Sequence, residues 1–198
     1  MVRFFFTIIC VLGASAVAHS GPLFDSAARG DTAAVDSYLG EGVEVDQRGR
    51  NAETPLIAAA LAGKATTAKL LIDHGADVMA RNKGGLTPLH AAAYSGSKEV
   101  AQLLLDHGAD IEDKANVSGG TPLIVAAEEN RVAVAELLIS QGADVSITDR
   151  DGFTALTLAW MKKRTDIVRL LKRHGATCQP VDILGTDDYH RQCVEAGQ

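Results

Sequence analysis

Two short motifs return along this chain in one shared phase. Thr-Pro-Leu stands at Thr54-Pro55-Leu56, Thr87-Pro88-Leu89 and Thr121-Pro122-Leu123, with Thr154-Ala155-Leu156 a degenerate fourth copy. Gly-Ala-Asp stands at Gly75-Ala76-Asp77, Gly108-Ala109-Asp110 and Gly142-Ala143-Asp144, with Gly175-Ala176-Thr177 the fourth. Both series step by 33, 34 and 33 residues. A period of this size marks a stack of supersecondary units. The longer step places one inserted residue near Ala115.

Each unit reads as a helical hairpin. Thr caps a helix N-terminus and Pro fits its first turn. In the unit opening at Thr87 the first helix is short, Leu89 to Ser95, and its alanines let a neighbouring helix approach closely. Gly96 ends it with a backbone turn, as Gly63 does one unit earlier. A second helix runs from Lys98 to His107, with Val100, Leu103 and Leu104 on one face at helical spacing. Gly108 stops it, and a polar, Gly-containing hairpin-like loop leads to the next unit. One such pair cannot bury its own apolar face; four or five in a stack can.

The pattern resembles the ankyrin repeat, whose T-P-L-H-x-A-A and L-L-x-x-G-A-D stand here as Thr87 to Ala93 and Leu104 to Asp110. The resemblance covers about residues 23–176 and implies an all-α solenoid of about five stacked helix-turn-helix units. The expected units are a capping repeat at 23–46, repeats at 47–79, 80–112 and 113–146, and a C-terminal repeat at 147–176. The first unit lacks Thr-Pro, and in the last Trp160 stands for a small Ala and Lys163 for the helix-ending Gly. Terminal repeats must present a polar outer face, so such departures belong there. Trp160 is expected to pack against the chain that follows.

Residues 1–18 have the order of a secretory signal peptide: Arg3, an apolar run from Phe4 to Leu12, then small residues ending in Ala16-Val17-Ala18. Phe4 to Ala18 is 15 residues, short of the roughly 20 that span a bilayer. Cleavage is expected after Ala18, with Ala14-Ser15-Ala16 a second site. The product would be exported, most simply to a periplasm, with no membrane association after cleavage; secretion to the medium is the alternative. Cys178 and Cys193 then remain, an even count that in an oxidising compartment favours a disulfide stapling residues 177–198 as a C-terminal cap. A bridge closing about 15 residues is worth roughly 3 kcal/mol in the chain-entropy model.

The formal charge of −6 becomes −7 once Arg3 leaves with the signal. An acidic surface repels phosphate backbones and argues against nucleic acid as partner. His74, His107 and His174 share one repeat position, but stacked helices stand about 8–10 Å apart, too wide for ligands each about 2.0–2.1 Å from one zinc. They read as helix C-terminal caps, and no metal or cofactor is expected. No nucleophile elbow, phosphate loop or His-Glu-x-x-His motif occurs, so no catalytic residue is assigned and the chain is not expected to be an enzyme. Glu128 and Glu129 are adjacent on a helix, do not face one another, and read as a solvated face. Arg29-Gly30-Asp31 spells an adhesion tripeptide but sits in a turn between helices. Asn116-Val117-Ser118 is a glycosylation sequon on an inter-repeat loop.

Resemblance to the family implies a protein partner, held by loop tips and the exposed side of each first helix. The matching positions are Arg50, Asn51 and Glu53; Lys83, Leu86, Tyr94 and Ser95; Val117, Ser118, Glu128 and Glu129; and Arg150, Asp151, Phe153 and Met161. Leu86, Tyr94, Phe153 and Met161 are large apolar groups at positions expected to be exposed, which suits an interface. His90 is similar to the family's structural His, whose ring bonds loop backbone. Similarity to exported ankyrin-repeat proteins implies an interaction module that inhibits or supports a periplasmic enzyme, and the acidic surface and two terminal caps favour a monomer. Haem or cofactor delivery, for instance to catalase, and a secreted effector or adhesin are the alternatives.

Overall fold

The computed structural model describes residues 21–180, 191 and 193–195. The expected signal segment, His19 and His190 lie outside them. Ten helices form five antiparallel pairs: α1 (Pro22–Arg29) with α2 (Thr32–Gly40), α3 (Pro55–Leu61) with α4 (Ala65–Asp73), α5 (Pro88–Ser95) with α6 (Lys98–Asp106), α7 (Pro122–Glu128) with α8 (Val132–Ser140), and α9 (Ala155–Met161) with α10 (Thr165–Arg173). The odd-numbered helices stack on one another in one layer and the even-numbered helices in a second. Among the described residues there is no strand; a 3₁₀ turn spans Arg50–Ala52, and Arg191 and residues 193–195 are also helical.

The caps follow the repeat. Thr54 Oγ1 accepts the Ile57 N–H at 3.2 Å, Thr121 Oγ1 the Ile124 N–H at 3.4 Å, and Thr154 Oγ1 the Thr157 N–H at 3.3 Å. Each satisfies one of the donors a helix start leaves unpaired. Leu56, Leu89, Leu123 and Leu156 occupy equivalent buried positions, and alanine pairs such as Ala59-Ala60, Ala92-Ala93 and Ala126-Ala127 are buried between them. Small side chains there are what allow the first helices to lie so close. Ala68 with Leu71, Ala101 with Leu104, and Ala135 with Leu138 do the same for the second layer.

The turn between paired helices is left-handed at Gly30, Gly63 and Gly96. Asn130 and Lys163 keep that geometry at the equivalent positions of the last two pairs, with φ of 57° and 58°. Arg29-Gly30-Asp31 is one of these turns: Asp31 accepts the Ala34 N–H at 3.1 Å and caps α2. Arg131 Nε donates to the Tyr94 carbonyl at 2.9 Å and Arg164 Nε to the Glu128 carbonyl at 3.2 Å, tying each turn to the one before.

On the loop side a second set of bonds keeps the register. The Asp77 N–H donates to Asp46 at 3.0 Å, the Asp110 N–H to Met79 Sδ at 3.3 Å, and the Asp144 N–H to Glu112 at 2.6 Å. One position of each repeat therefore supplies an acceptor to the Gly-Ala-Asp backbone of the next. The inserted residue is absorbed between Asp113 and Asn116, where Lys114 and Ala115 are both exposed.

Cys178 and Cys193 are joined by a disulfide. Beside it, Gln179 Oε1 accepts the Thr154 N–H at 3.1 Å and the Thr157 hydroxyl at 2.5 Å, while Gln179 Nε2 donates to the Gly152 carbonyl at 2.6 Å. Lys172 Nζ donates to the Cys193 carbonyl. The segment after the last repeat thus closes the final helix pair through backbone groups as well as through sulfur. Trp160 is half-buried and packs against the core.

Candidate groove

The loop tips are joined by backbone hydrogen bonds from one repeat to the next. The Lys83 N–H donates to the Asn51 carbonyl at 2.6 Å, the Val117 N–H to Gly84 at 2.9 Å, and the Arg150 N–H to Ser118 at 2.9 Å. These bonds bring Asn51, Lys83, Val117, Ser118 and Arg150 into one continuous row, with Arg50 beside it. Within each tip an Asx turn sets the shape: Asn82 Oδ1 accepts from Gly84 and Leu86, and Asp149 Oδ1 from Asp151 and Phe153.

His90 fixes the loops to the helices. Its Nδ1 accepts the Thr87 N–H at 3.3 Å and lies 2.9 Å from the Thr87 hydroxyl. A ring that accepts at Nδ1 carries its proton on Nε2, and Nε2 lies 3.0 Å from the Gly120 carbonyl of the next repeat. Asn116 Nδ2 donates to the same carbonyl at 2.6 Å. Burial holds the His90 pKa below its ordinary value, with the Gly120 bond opposing that shift in part. The neutral ring expected of a structural His is the form that fits these partners.

Asn116 is buried and its Oδ1 accepts from Ser118 and Gly120. The Asn116 side chain is therefore folded inward, with its amide nitrogen engaged, while Val117 and Ser118 stay exposed.

Between the loops and the exposed side of α3, α5 and α7 lies a groove. Of the positions named from the sequence, Glu53, Leu86, Tyr94, Ser118, Glu128, Glu129 and Asp151 line it. The expected positions Arg50, Asn51, Lys83, Val117 and Arg150 stay on the loop-tip row. Ser95 turns inward instead, donating its hydroxyl to the Ala60 carbonyl at 2.9 Å. Met161 is exposed, at 37%, but outside the groove. Phe153 corrects the expectation of an exposed interface residue: it is half-buried and packs against the hydrophobic core. Leu86 and Tyr94 are likewise half-buried, their remaining surface facing the groove.

Sequence reasoning missed Leu61 and Val125, which supply apolar surface to the groove, the buried Ile57 and Ile124 that back it, and Asn82, Ala91 and Asp149. Their signal was available: Ile57, His90 and Ile124 share one repeat register, as do Leu61, Tyr94 and Glu128. Reading Glu128 as a plain solvated face was wrong. It is half-buried, and burial raises its pKa; Lys162, whose Nζ is 3.4 Å away, pulls it down, while Glu129 and Asp149 push it up again. Glu53 is also raised by burial, with a bond to Asn82 opposing the shift.

The three equivalent histidines stay apart. His107 Nδ1 lies 2.8 Å from the Leu103 carbonyl at the end of α6, and His74 lies 3.6 Å from Asp36. Among the described residues no three His, Cys, Asp or Glu side chains are grouped as metal ligands would be. No described helix is long and apolar enough to cross a membrane.

Residues 23–115 and again 112–182 match the family model described as ankyrin repeats (3 copies). No curated relative matches the chain. Phased caps, stacked alanines and this match agree, and the chain belongs to the ankyrin-repeat family, a family of protein–protein interaction modules.

Proposed function

We propose that this protein is exported and docks one partner protein in the groove between its loops and first helices, inhibiting or supporting an enzyme outside the cytoplasm. The observation that carries the docking is the groove itself. Leu61, Leu86, Tyr94 and Val125 present apolar surface there from three successive repeats. A surface of that kind, rimmed by charge, is the usual anatomy of an interface core. The order of residues 1–18 supports export, and the Cys178–Cys193 bond suits an oxidising compartment.

A photo-crosslinking residue placed at Leu86 or Tyr94 in living cells tests the docking. The expected result is one specific covalent adduct from either position and none from a crosslinker at Glu136 on the outer helix layer. Adducts independent of position would overturn it. Export is tested on the same cells by fractionation and N-terminal sequencing; mature protein beginning at His19 in the periplasm is expected, and full-length protein in the cytoplasm would refute it.

A further inference from the structure

The groove changes character along its length. One register carries Leu61 in the second repeat, Tyr94 in the third and Glu128 in the fourth. Glu129 adjoins Glu128 at the end of α7, and Asp149 lies close enough to raise the Glu128 pKa. The apolar end and the acidic end are thus neighbouring rungs of one ladder. The lining contains five carboxylates, from Glu53, Glu128, Glu129, Asp149 and Asp151, and no Lys or Arg. Lys162 pairs with Glu128 from beside the groove. An acidic occupant would meet like charge along this lining, and a purely apolar one would desolvate its carboxylates.

Resting on the docking reading above, we infer that the groove takes an extended, basic segment of the partner protein. In it an apolar side chain lies against Leu61 and Tyr94, and an arginine or lysine faces Glu128 and Glu129. Stacked helices are about 8–10 Å apart, and an extended chain of polyproline-II geometry advances about 3.1 Å per residue and returns to the same face every third residue, so the two side chains stand three residues apart. Arginine suits the site best. Its fork meets carboxylates with two bonds, and its stem lies along apolar surface. The length of the apolar floor, which spans several repeats, favours a polypeptide over a small polyamine.

The test uses the full chain and fluorescein-labelled peptides in a Gly/Ser background carrying leucine and arginine three residues apart. Anisotropy at low salt should show binding about tenfold tighter than for a version with glutamate in place of the arginine, or serine in place of the leucine, and a loss of affinity as salt rises. Glu128→Gln/Glu129→Gln should remove most of that preference. Glu129→Gln alone, which leaves the Glu128–Lys162 pair intact, should remove part of it. Glu99→Gln/Glu136→Gln, the same charge change on the outer helices, should leave it unchanged.

Equal binding of the glutamate peptide, no binding of any peptide, or equal loss from the outer-helix variant would overturn the inference. Displacement by spermidine at concentrations equal to the peptide would also overturn it, in favour of a small polycation. The docking reading fails separately. A partner crosslinked at Leu86 through a segment without basic residues sinks only the present inference, whereas absence of any crosslink from Leu86 and Tyr94 sinks both.

Discussion

Arg81 grips both carboxylate oxygens of Asp113, one repeat further along the chain. Asp113 is buried at the position where the neighbouring repeat places Ala80, also buried. Arg81 is still about one-third exposed, at 37% of its side chain. Burial alone would raise the Asp113 pKa, but the bonds and charge of Arg81 hold it below the ordinary carboxylate range.

The two partners should therefore respond unequally to removal. Arg81→Met strands a carboxylate in the interior and is expected to cost about 1–3 kcal/mol. Asp113→Ala restores the residue type of the preceding repeat and frees Arg81 to hydrate, so it should cost clearly less. Urea midpoints of the two variants and of the double variant test this. A double variant no better than Arg81→Met alone would show that the stranded charge is not the cause.

Acid should weaken the fold through His90. Its folded pKa is lowered, so the unfolded chain takes up the proton more readily, from about pH 6.5 downward. The stability conferred by the neutral ring is complete above that value. It is lost progressively as pH falls toward the folded pKa, below which the loss levels off. Glu53 and Glu128, whose folded pKa values are raised, act in the opposite sense and are common to wild type and variant. Urea midpoints at about pH 7.5 and about pH 5.5 should therefore converge more for His90→Gln than for wild type. An unchanged pH response in the variant would contradict the assignment.

Gly85 should be the least replaceable loop glycine of its repeat. It has φ of +77°, and a Cβ there would stand 2.5 Å from the Ala115 carbonyl oxygen and 2.7 Å from Asn116 Cα, both backbone atoms. Gly85→Ala is expected to cost about 1–3 kcal/mol. Gly40 ends α2 with open space around it, and Gly40→Ala should stabilise by about 0.5–1 kcal/mol. Thermal melts of the two variants should move in opposite directions.

Reduction should loosen one end of the molecule and leave the other alone. The Cys178–Cys193 loop closes 15 residues, for which chain entropy accounts for roughly 3 kcal/mol. Hydrogen exchange is expected to speed up in α9 and α10 after reduction, or in Cys193→Ser, and to stay unchanged in α3 and α4. Uniform acceleration along the stack would mean that the bridge supports the whole solenoid.

The stacking direction, the helix pairs and their caps were legible because Thr-Pro-Leu and Gly-Ala-Asp each act within a few residues. The loop-tip row was legible through the resemblance to the family. The groove was only half legible. Its apolar surface depends on which helix face is left uncovered, and Leu61 and Val125 look like core residues until their neighbours are placed. Phe153, whose position in the repeat suggests exposure, is half-buried because part of its side chain packs against the core. Asp113 and Gln179 were invisible to local reading: the partners that give them meaning lie 32 residues before Asp113 and 25 before Gln179.

Gln179 has one more effect. A column of like modules has no built-in length, because its last member offers the same unfilled contacts that its predecessors filled. Gln179 occupies them here, taking the amide of Thr154 and capping the carbonyl of Gly152. A module adding end-on there would first have to displace Gln179 from both groups.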